Sequence, residues 1–188
     1  MLFVAAAVPL TDVSRGWLRA VAAASPESRV VRPEGLHLTL HYLGPTELED
    51  PTILVSEFLG RITGVRPFSV RLQGLGAFPS LGHPRAIWVG VTRGRADLVR
   101  LGRLLAPGQP EITPHCTLAR VGGRLSPASR DRLQRLADGG PWPLDFRCGR
   151  LGMFESITDT PGPARYRLLG ALPLIGSASE GASPEWVE

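Results

Sequence analysis

The chain has 188 residues, of which 43% are apolar, and a formal net charge of +4. This length suits one domain with a sizeable core, and no apolar run approaches the ~18–20 residues of a membrane span, which predicts a soluble, cytoplasmic protein without a membrane segment. All 21 basic residues are arginine, which excludes reactions that need a lysine amine, such as those through a Schiff base or a lysine adenylate.

Apolar periodicity predicts strands and helices that alternate along the chain. The expected elements of the first half are a strand at 2–8, a helix at 11–25, an extended segment at 29–44, a helix at 50–62, and strands at 68–80 and 85–92. Thr11 or Asp12 is placed to cap the first helix. Asp50 is placed to cap the second, because a proline follows it at the first helical position.

The second half repeats this pattern. Its expected elements are a helix at 95–105, a strand at 113–122, a helix at 126–137 capped by Ser126, and strand-like segments at 142–156 and 164–175. No Gly-x-Gly-x-x-Gly opens a helix, so the sequence does not support a dinucleotide site. The composition of 176–188 is typical of a flexible tail, which leaves a single domain at 1–175.

The pattern His-x-Thr-Leu occurs twice, at 37–40 and 115–118, each time in an expected strand that is followed by a turn and a capped helix. Because alternate side chains of a strand share a face, the histidine and threonine of each copy point together, and the other positions point to the core. The four residues selected in this way are His37, Thr39, His115 and Thr117. By the same alternation His41 lies on the face of His37 and Thr39. Arg120 falls on the opposite face from His115 and Thr117, and it reaches their face only if a bulge or the end of the strand reorients it.

Paired imidazoles and hydroxyl groups suit phosphoester hydrolysis. Histidine titrates near pH ~6.5, so a neutral ring can take a proton from water while a protonated ring gives one to the departing oxygen. Threonine hydroxyl groups can donate hydrogen bonds to the phosphoryl oxygens, where negative charge grows in the transition state. This chemistry requires no metal, cofactor or covalent nucleophile, and the residues leave open which histidine has which role.

The stretches that carry these motifs resemble the two-histidine phosphoesterase superfamily, and within it the RNA 2′,3′-cyclic phosphodiesterases, also known as 2′–5′ RNA ligases. The resemblance extends over about residues 2–174, and it includes "GLHLTLHYLG", "LQGLGAFPSLGHPRAIWVGV", "PHCTLARV" and "ARYRLLGALPL". It implies an α+β, bilobal fold with two pseudo-symmetric lobes, in which antiparallel sheets flank a central cleft and the helices lie outside.

The resemblance also implies the activity and the roles of the residues. The implied reaction opens a 2′,3′-cyclic phosphate at an RNA end or on a nucleotide to a 2′-phosphomonoester, with 2′–5′ ligation as its reverse. By this similarity His37 is the proton donor, His115 is the proton acceptor, and Thr39 and Thr117 bind the phosphate. Arg120 is a further candidate for phosphate contact, and His41 is expected to support the site from the cleft wall.

Within the enzyme class, a 2′–5′ ligase or a 2′–5′ phosphodiesterase that acts on other nucleotides stays open, and so do two further alternatives. An RNA- or nucleotide-binding module could retain the motifs without relevant turnover. His37, His41 and His115 could instead hold a zinc ion, since imidazole is a common zinc ligand. Among the aromatic residues, Tyr42, Phe78 and Trp88 could stack a base.

The charge distribution favours a phosphate-bearing partner. Residues 61–135 hold 13 arginines against 3 acidic residues, whereas the segments before and after them are each net acidic. Guanidinium groups match phosphate oxygens well, but a solvated arginine-rich surface would give the same composition.

Overall fold

The computed structural model describes residues 1–45, 50–140, 142–157 and 162–175, so the expected tail at 176–188 lies outside the described residues. The helices are α1 (Asp12–Ala24), α2 (Pro51–Arg61), α3 (Arg95–Leu105) and α4 (Pro127–Gly139). The strands are β1 (Leu2–Ala7), β2 (Arg29–Val30), β3 (His37–Gly44), β4 (Phe68–Phe78), β5 (Ala86–Arg93), β6 (His115–Arg120), β7 (Leu144–Cys148), β8 (Arg150–Ile157) and β9 (Arg165–Pro173). None of the described helices is long and apolar enough to cross a membrane.

The helix starts follow the predicted caps. The backbone N–H of Ser14 donates to the Thr11 side chain at 3.3 Å, and the Thr11 N–H donates back to the Ser14 hydroxyl at 2.8 Å. Asp50 accepts from the N–H of Thr52 at the start of α2. The predicted cap of α4, Ser126, likewise accepts a backbone hydrogen bond in the first helical turn. These bonds satisfy N–H groups that have no partner inside a helix.

All pairings between the described strands are antiparallel. The strand order is β7-β4-β5-β6-β3-β1-β8-β9, and the short β2 pairs with β6 beside β3. The expected α+β class with antiparallel sheets is confirmed. The sheets of the two lobes form one continuous sheet because β3 and β6 pair with each other.

The strand order shows that this sheet is strongly curled. β7 lies at one end of the order and β8 next to the other end, yet Gly149 alone joins them. Consecutive Cα atoms are only about 3.8 Å apart, so the two ends of the sheet must approach each other. The Gly149 carbonyl also accepts a hydrogen bond from the N–H of Leu174, just after β9. The segment 142–156 therefore forms two strands in different lobes and not one continuous strand.

The two lobes are related by an approximate twofold axis between β3 and β6. Reversal of the strand order exchanges β3 with β6, β1 with β5, β8 with β4 and β9 with β7. The helices obey the same exchange, since α1 packs on β6 and α3 packs on β3. Each lobe thus contains elements from both halves of the chain, because β4 joins the β5–β6 lobe and β8 joins the β1–β3 lobe.

The two faces of the sheet differ in what covers them. The face that carries Leu38, Leu40 and Leu118 is covered by the helices and forms the large core. Phe3 and Ala5 of β1 point to the other face, where they form a small cluster with Phe154 and Tyr166. This second face holds the candidate site.

Candidate active site

The strands that carry the two motifs lie side by side at the centre of the sheet. Leu38 of β3 is paired with Cys116 of β6, and both side chains are fully buried in the core. The residues that flank this pair therefore point away from the core. Because the strands are antiparallel, the histidine of each motif lies beside the threonine of the other.

This register brings the four predicted residues together. His37 lies opposite Thr117, and His115 lies opposite Thr39. Directly opposite Cβ atoms are typically about 4.5–5.5 Å apart, and diagonal partners such as the two histidines about 7–8 Å apart. Two rings at that separation can reach one phosphoryl group from two sides.

The two imidazoles are held by equivalent hydrogen bonds. Nδ1 of His37 donates to the carbonyl oxygen of Gly35 at 2.7 Å, and Nδ1 of His115 donates to that of Thr113, also at 2.7 Å. A carbonyl oxygen can only accept, so each Nδ1 carries the hydrogen. In the neutral rings Nε2 is therefore the atom with the free lone pair, and it is the atom available for proton transfer.

Aromatic rings surround both histidines. Phe3 and Tyr166 each lie 5.0 Å from His37 between ring centroids, and Tyr166 meets it edge-on. On the other side Phe78 lies 4.9 Å from His115, also edge-on, and Trp88 lies 6.1 Å away. These contacts constrain the ring planes and cover part of each imidazole, and both rings remain half-buried.

This environment favours the neutral form of both rings. The pKa of His37 is lowered from its ordinary value of 6.5 to about 4, chiefly by burial and to a smaller extent by the charges of Arg120 and His115, while the hydrogen bond to Gly35 opposes the shift. Burial also lowers the pKa of His115, and Arg120 adds to that effect. A phosphate anion between the rings would act in the opposite direction, because a nearby negative charge favours the protonated form.

Each motif ends in a β-bulge. Against β1, His41 pairs with Val4 and Thr39 pairs with Ala5, so Leu40 is an extra residue in β3. Against β5, Ala119 pairs with Ile87 and Thr117 with Trp88, so Leu118 is the extra residue in β6. A bulge shifts the alternation of side chains by one position for the rest of the strand.

The second bulge turns Arg120 toward the site. Beyond Leu118 the parity is reversed, and Arg120 pairs with Ala86 on the strand beside it. The charge of Arg120 lowers the pKa values of His37 and His115, and it partly opposes the rise that burial causes in the pKa of Tyr166. This is the bulge that strand alternation required for Arg120 to reach a phosphate.

The first bulge moves His41 off the face that alternation predicted. His41 is paired with the fully buried Val4, and its ring meets Phe58 of α2 edge-on at 5.9 Å. The expectation that His41 shares the face of His37 and Thr39 is wrong, because it counted alternation through the bulge. His41 still borders a cavity of about 590 Å³ next to His115, and its supporting role stays a prediction.

The described residues contain no group of three or more His, Cys, Asp or Glu side chains arranged to hold a metal ion. The three-histidine zinc alternative therefore has no geometric support, since His41 packs on α2 while His37 packs on Phe3 and Tyr166. Cys116 points into the core, where burial raises the pKa of its thiol to about 12. Such a thiol is not a nucleophile near neutral pH.

Comparison with known sequences gives relatives that cover most of the chain. The model of the 2′-5′ RNA ligase superfamily matches residues 11–160. A protein of Aeropyrum pernix named RNA 2′,3′-cyclic phosphodiesterase is 34% identical over 147 residues, which are 72% of this chain and 80% of the relative. A protein of the same name from Archaeoglobus fulgidus is 31% identical over 143 residues, 72% of this chain and 78% of the relative.

Solved structures share the fold. TT0787 of Thermus thermophilus superposes with a TM-score of 0.73 at 24% identity, covering 94% of this chain and 99% of that protein. E. coli LigT in complex with NADP+ superposes with a TM-score of 0.66 at 23% identity, covering 92% and 96% of the two chains.

Proposed function

The chain belongs to the 2′-5′ RNA ligase superfamily, and from this premise we propose that it hydrolyses RNA 2′,3′-cyclic phosphate ends to 2′-phosphomonoesters by acid–base catalysis with His37 and His115. The observation that carries the proposal is the β3–β6 register, which sets each motif histidine beside the threonine of the other motif. Relatives named RNA 2′,3′-cyclic phosphodiesterase support the same activity.

In the proposed reaction the neutral His115 ring accepts a proton from water at Nε2. The water oxygen attacks phosphorus, and the bond from phosphorus to the ribose 3′ oxygen breaks. Protonated His37 donates from Nε2 to that departing oxygen, which leaves the phosphate on the 2′ oxygen. Each proton transfer of this kind is typically worth about 10²–10⁴-fold in rate.

The remaining residues stabilise charge on the phosphoryl group. The hydroxyl groups of Thr39 and Thr117 donate to its non-bridging oxygens, and the Arg120 guanidinium adds a positive charge beside them. The lowered pKa of His37 is compatible with a donor role only in the substrate complex, where the anionic phosphodiester favours the protonated ring. His115 needs no such help, since its neutral form is the reactive one.

Product analysis on a 2′,3′-cyclic mononucleotide, with and without a chelator, tests the proposal. We expect the 2′-phosphate as the sole product, at the same rate in EDTA. A 3′-phosphate product, or loss of activity in EDTA, would contradict the proposed mechanism. Tight RNA binding with no turnover of any cyclic end would favour the binding-module alternative.

A further inference from the structure

A cavity of about 1100 Å³ opens on the His37 side of the site. One wall, beside His37, consists of the half-buried Tyr166 together with Phe3 and Phe154, each of which is only 4% exposed. Five basic side chains from separate parts of the chain also border the cavity, against one carboxylate, that of Glu34; they are Arg15, Arg32, Arg150, Arg165 and Arg167. Aromatic surface beside arginines is the combination that binds single-stranded nucleic acid, since bases stack on rings and guanidinium groups contact phosphates.

Much of this positive charge is not neutralised within the described residues. Arg15 and Arg165 are exposed and form no ion pair there, and the contact between Arg32 and Glu34 is long, at 4.0 Å. Arg167 has a close carboxylate, that of Glu155. The cavity therefore presents a net positive field beside the catalytic pair.

A second pair of arginines extends this field along the sheet. Arg29 of β2 lies directly opposite Arg120 of β6. Like charges at opposite positions of a sheet are unfavourable by themselves, and neither side chain has a carboxylate partner in the described part of the chain. Arg29 donates only to the carbonyl oxygen of Gly162, at 3.4 Å. An anion that contacts both guanidinium groups would relieve this repulsion.

The cavity on the other side of the site is different. It borders His115, is about half as large, and contains Arg103 with its charge paired to Glu111. A charge-balanced cavity of this kind offers little attraction for a polyanion. The two sides of the site thus differ in the ligand that they suit.

The proposed roles of the two histidines indicate which part of the substrate lies next to each cavity. Attacking and leaving oxygens lie roughly in line on opposite sides of phosphorus. The ribose that carries the departing 3′ oxygen therefore lies on the side of His37, its proposed proton donor. Water, or in ligation the 5′-hydroxyl of a second chain that takes the place of water, approaches from the side of His115.

We propose that the arginine-lined cavity beside His37 binds the RNA chain upstream of the cyclic end, with the terminal nucleoside against the aromatic wall and the preceding phosphodiester on Arg15 and Arg165. This inference rests on the proposed function and names its substrate class. The protein selects the 3′ ends of RNA chains over mononucleotides, because only a chain supplies the second phosphate.

The test compares a 2′,3′-cyclic mononucleotide with a ribotrinucleotide that ends in the same cyclic nucleotide. We expect kcat/KM at low salt to be at least about tenfold higher for the trinucleotide, since one phosphate contact commonly contributes a charge-assisted bond. In the double variant Arg15→Ala with Arg165→Ala the ratio of the two values falls toward one. In the same variant kcat/KM for the trinucleotide also depends less steeply on salt concentration, because fewer counterions are released on binding.

A matched control removes the same charge elsewhere. Arg95 and Arg100 are exposed on α3, which packs on the core face of the sheet, and the variant with both replaced by alanine should keep the wild-type ratio. Equal kcat/KM for the two substrates, or an equal loss in the control, would overturn the inference and leave the proposed function intact. Failure to open either substrate would instead contradict the proposed function itself.

Discussion

His37 and His115 are held by the same backbone geometry, but the side chains that surround them differ. Each ring donates from Nδ1 to the carbonyl two residues earlier, and each motif ends in a bulged leucine. The second residue after the bulge is Tyr42 in one lobe and Arg120 in the other. Tyr42 is 53% exposed and its hydroxyl donates to Met1 Sδ, whereas Arg120 acts on both imidazoles.

This comparison separates two sources of function. The pseudo-twofold axis brings the two motif histidines, the proposed acid–base groups, to adjacent strands, but perfect symmetry would give the proposed reaction no direction. The departures from symmetry supply that direction: the single Arg120 and the arginine-lined cavity on one side only. The predictions below test individual parts of this difference.

The largest effect is expected for the histidines themselves. His37→Ala and His115→Ala should each lower kcat on the cyclic substrate by about 10²–10⁴-fold, equivalent to ~2.7–5.5 kcal/mol of barrier. The two variants should then diverge on a phosphodiester with a nitrophenolate leaving group, which departs without protonation. We expect this substrate to restore much of the rate in the His37 variant only; restoration in the His115 variant instead would reverse the assigned roles.

The second prediction concerns stability and pH. The folded pKa of His37 is about 4 against an ordinary 6.5, so the unfolded chain binds the proton more readily and stability falls as pH drops through this window. A shift of this size corresponds to about 3 kcal/mol. We therefore expect the free energy of unfolding, measured with urea, to fall between pH 7 and pH 4 by about 3 kcal/mol more in the wild type than in the His37→Gln variant.

The same substitution at His83, which lies exposed in the loop between β4 and β5, is the matched control for this measurement. Glu27, whose pKa is lowered to about 2 by hydrogen bonds from Ser129 and Ser126, acts mainly below the window and is common to all variants. If the free energy of unfolding depended on pH equally in His37→Gln and in the wild type, the His37 ring would not be buried as described.

The third prediction compares the two residues that follow the bulges. Arg120→Ala should lower kcat about 10²-fold, the usual loss for one donor to a developing oxyanion, and should raise the pKa values of both histidines. Tyr42→Phe removes only a hydroxyl group and should change kcat less than about twofold. Steady-state kinetics with imidazole titration by NMR measures both effects, and comparable losses in the two variants would mean that the lobes share the phosphate evenly.

The smallest effects are expected for the threonines. Thr39→Val and Thr117→Val remove one hydroxyl group each at nearly constant volume, and each should lower kcat about tenfold, or ~1.4 kcal/mol. The double variant indicates whether the two hydroxyl groups act on separate phosphoryl oxygens, because independent effects then multiply. An unchanged rate in either single variant would remove that residue from the proposed site.

The parts of the site that depend on local order could be predicted from the sequence. Strand alternation correctly assigned Leu38, Leu40, Cys116 and Leu118 to the core. It failed one step later, at His41, because nothing in the residue pattern marks Leu40 as the extra residue of a bulge. A bulge depends on the partner strand, so its position is set by pairing and not by propensity.

Long-range pairing also explains the residues that sequence reasoning missed. Phe3 and Tyr166 were assigned to ordinary strands, yet both contact His37. Phe3 lies on the odd-numbered face of β1, but its significance depends on the β1–β3 register, which the sequence does not specify. Of the proposed stacking residues, Phe78 and Trp88 lie beside His115, whereas Tyr42 lies at the outer end of β3.

The exchange of strands between the lobes has a consequence for how the protein is made. When β6 leaves the ribosome both histidines have been synthesised, but β8 and β9, which complete the sheet beyond β1, have not. Unpaired β1 then presents an open apolar edge, the kind of surface that promotes aggregation in partly folded chains. A nascent chain completes the surroundings of His37 only when the residues after Gly149, Tyr166 among them, have been translated, which makes late synthesis the vulnerable stage in its biogenesis.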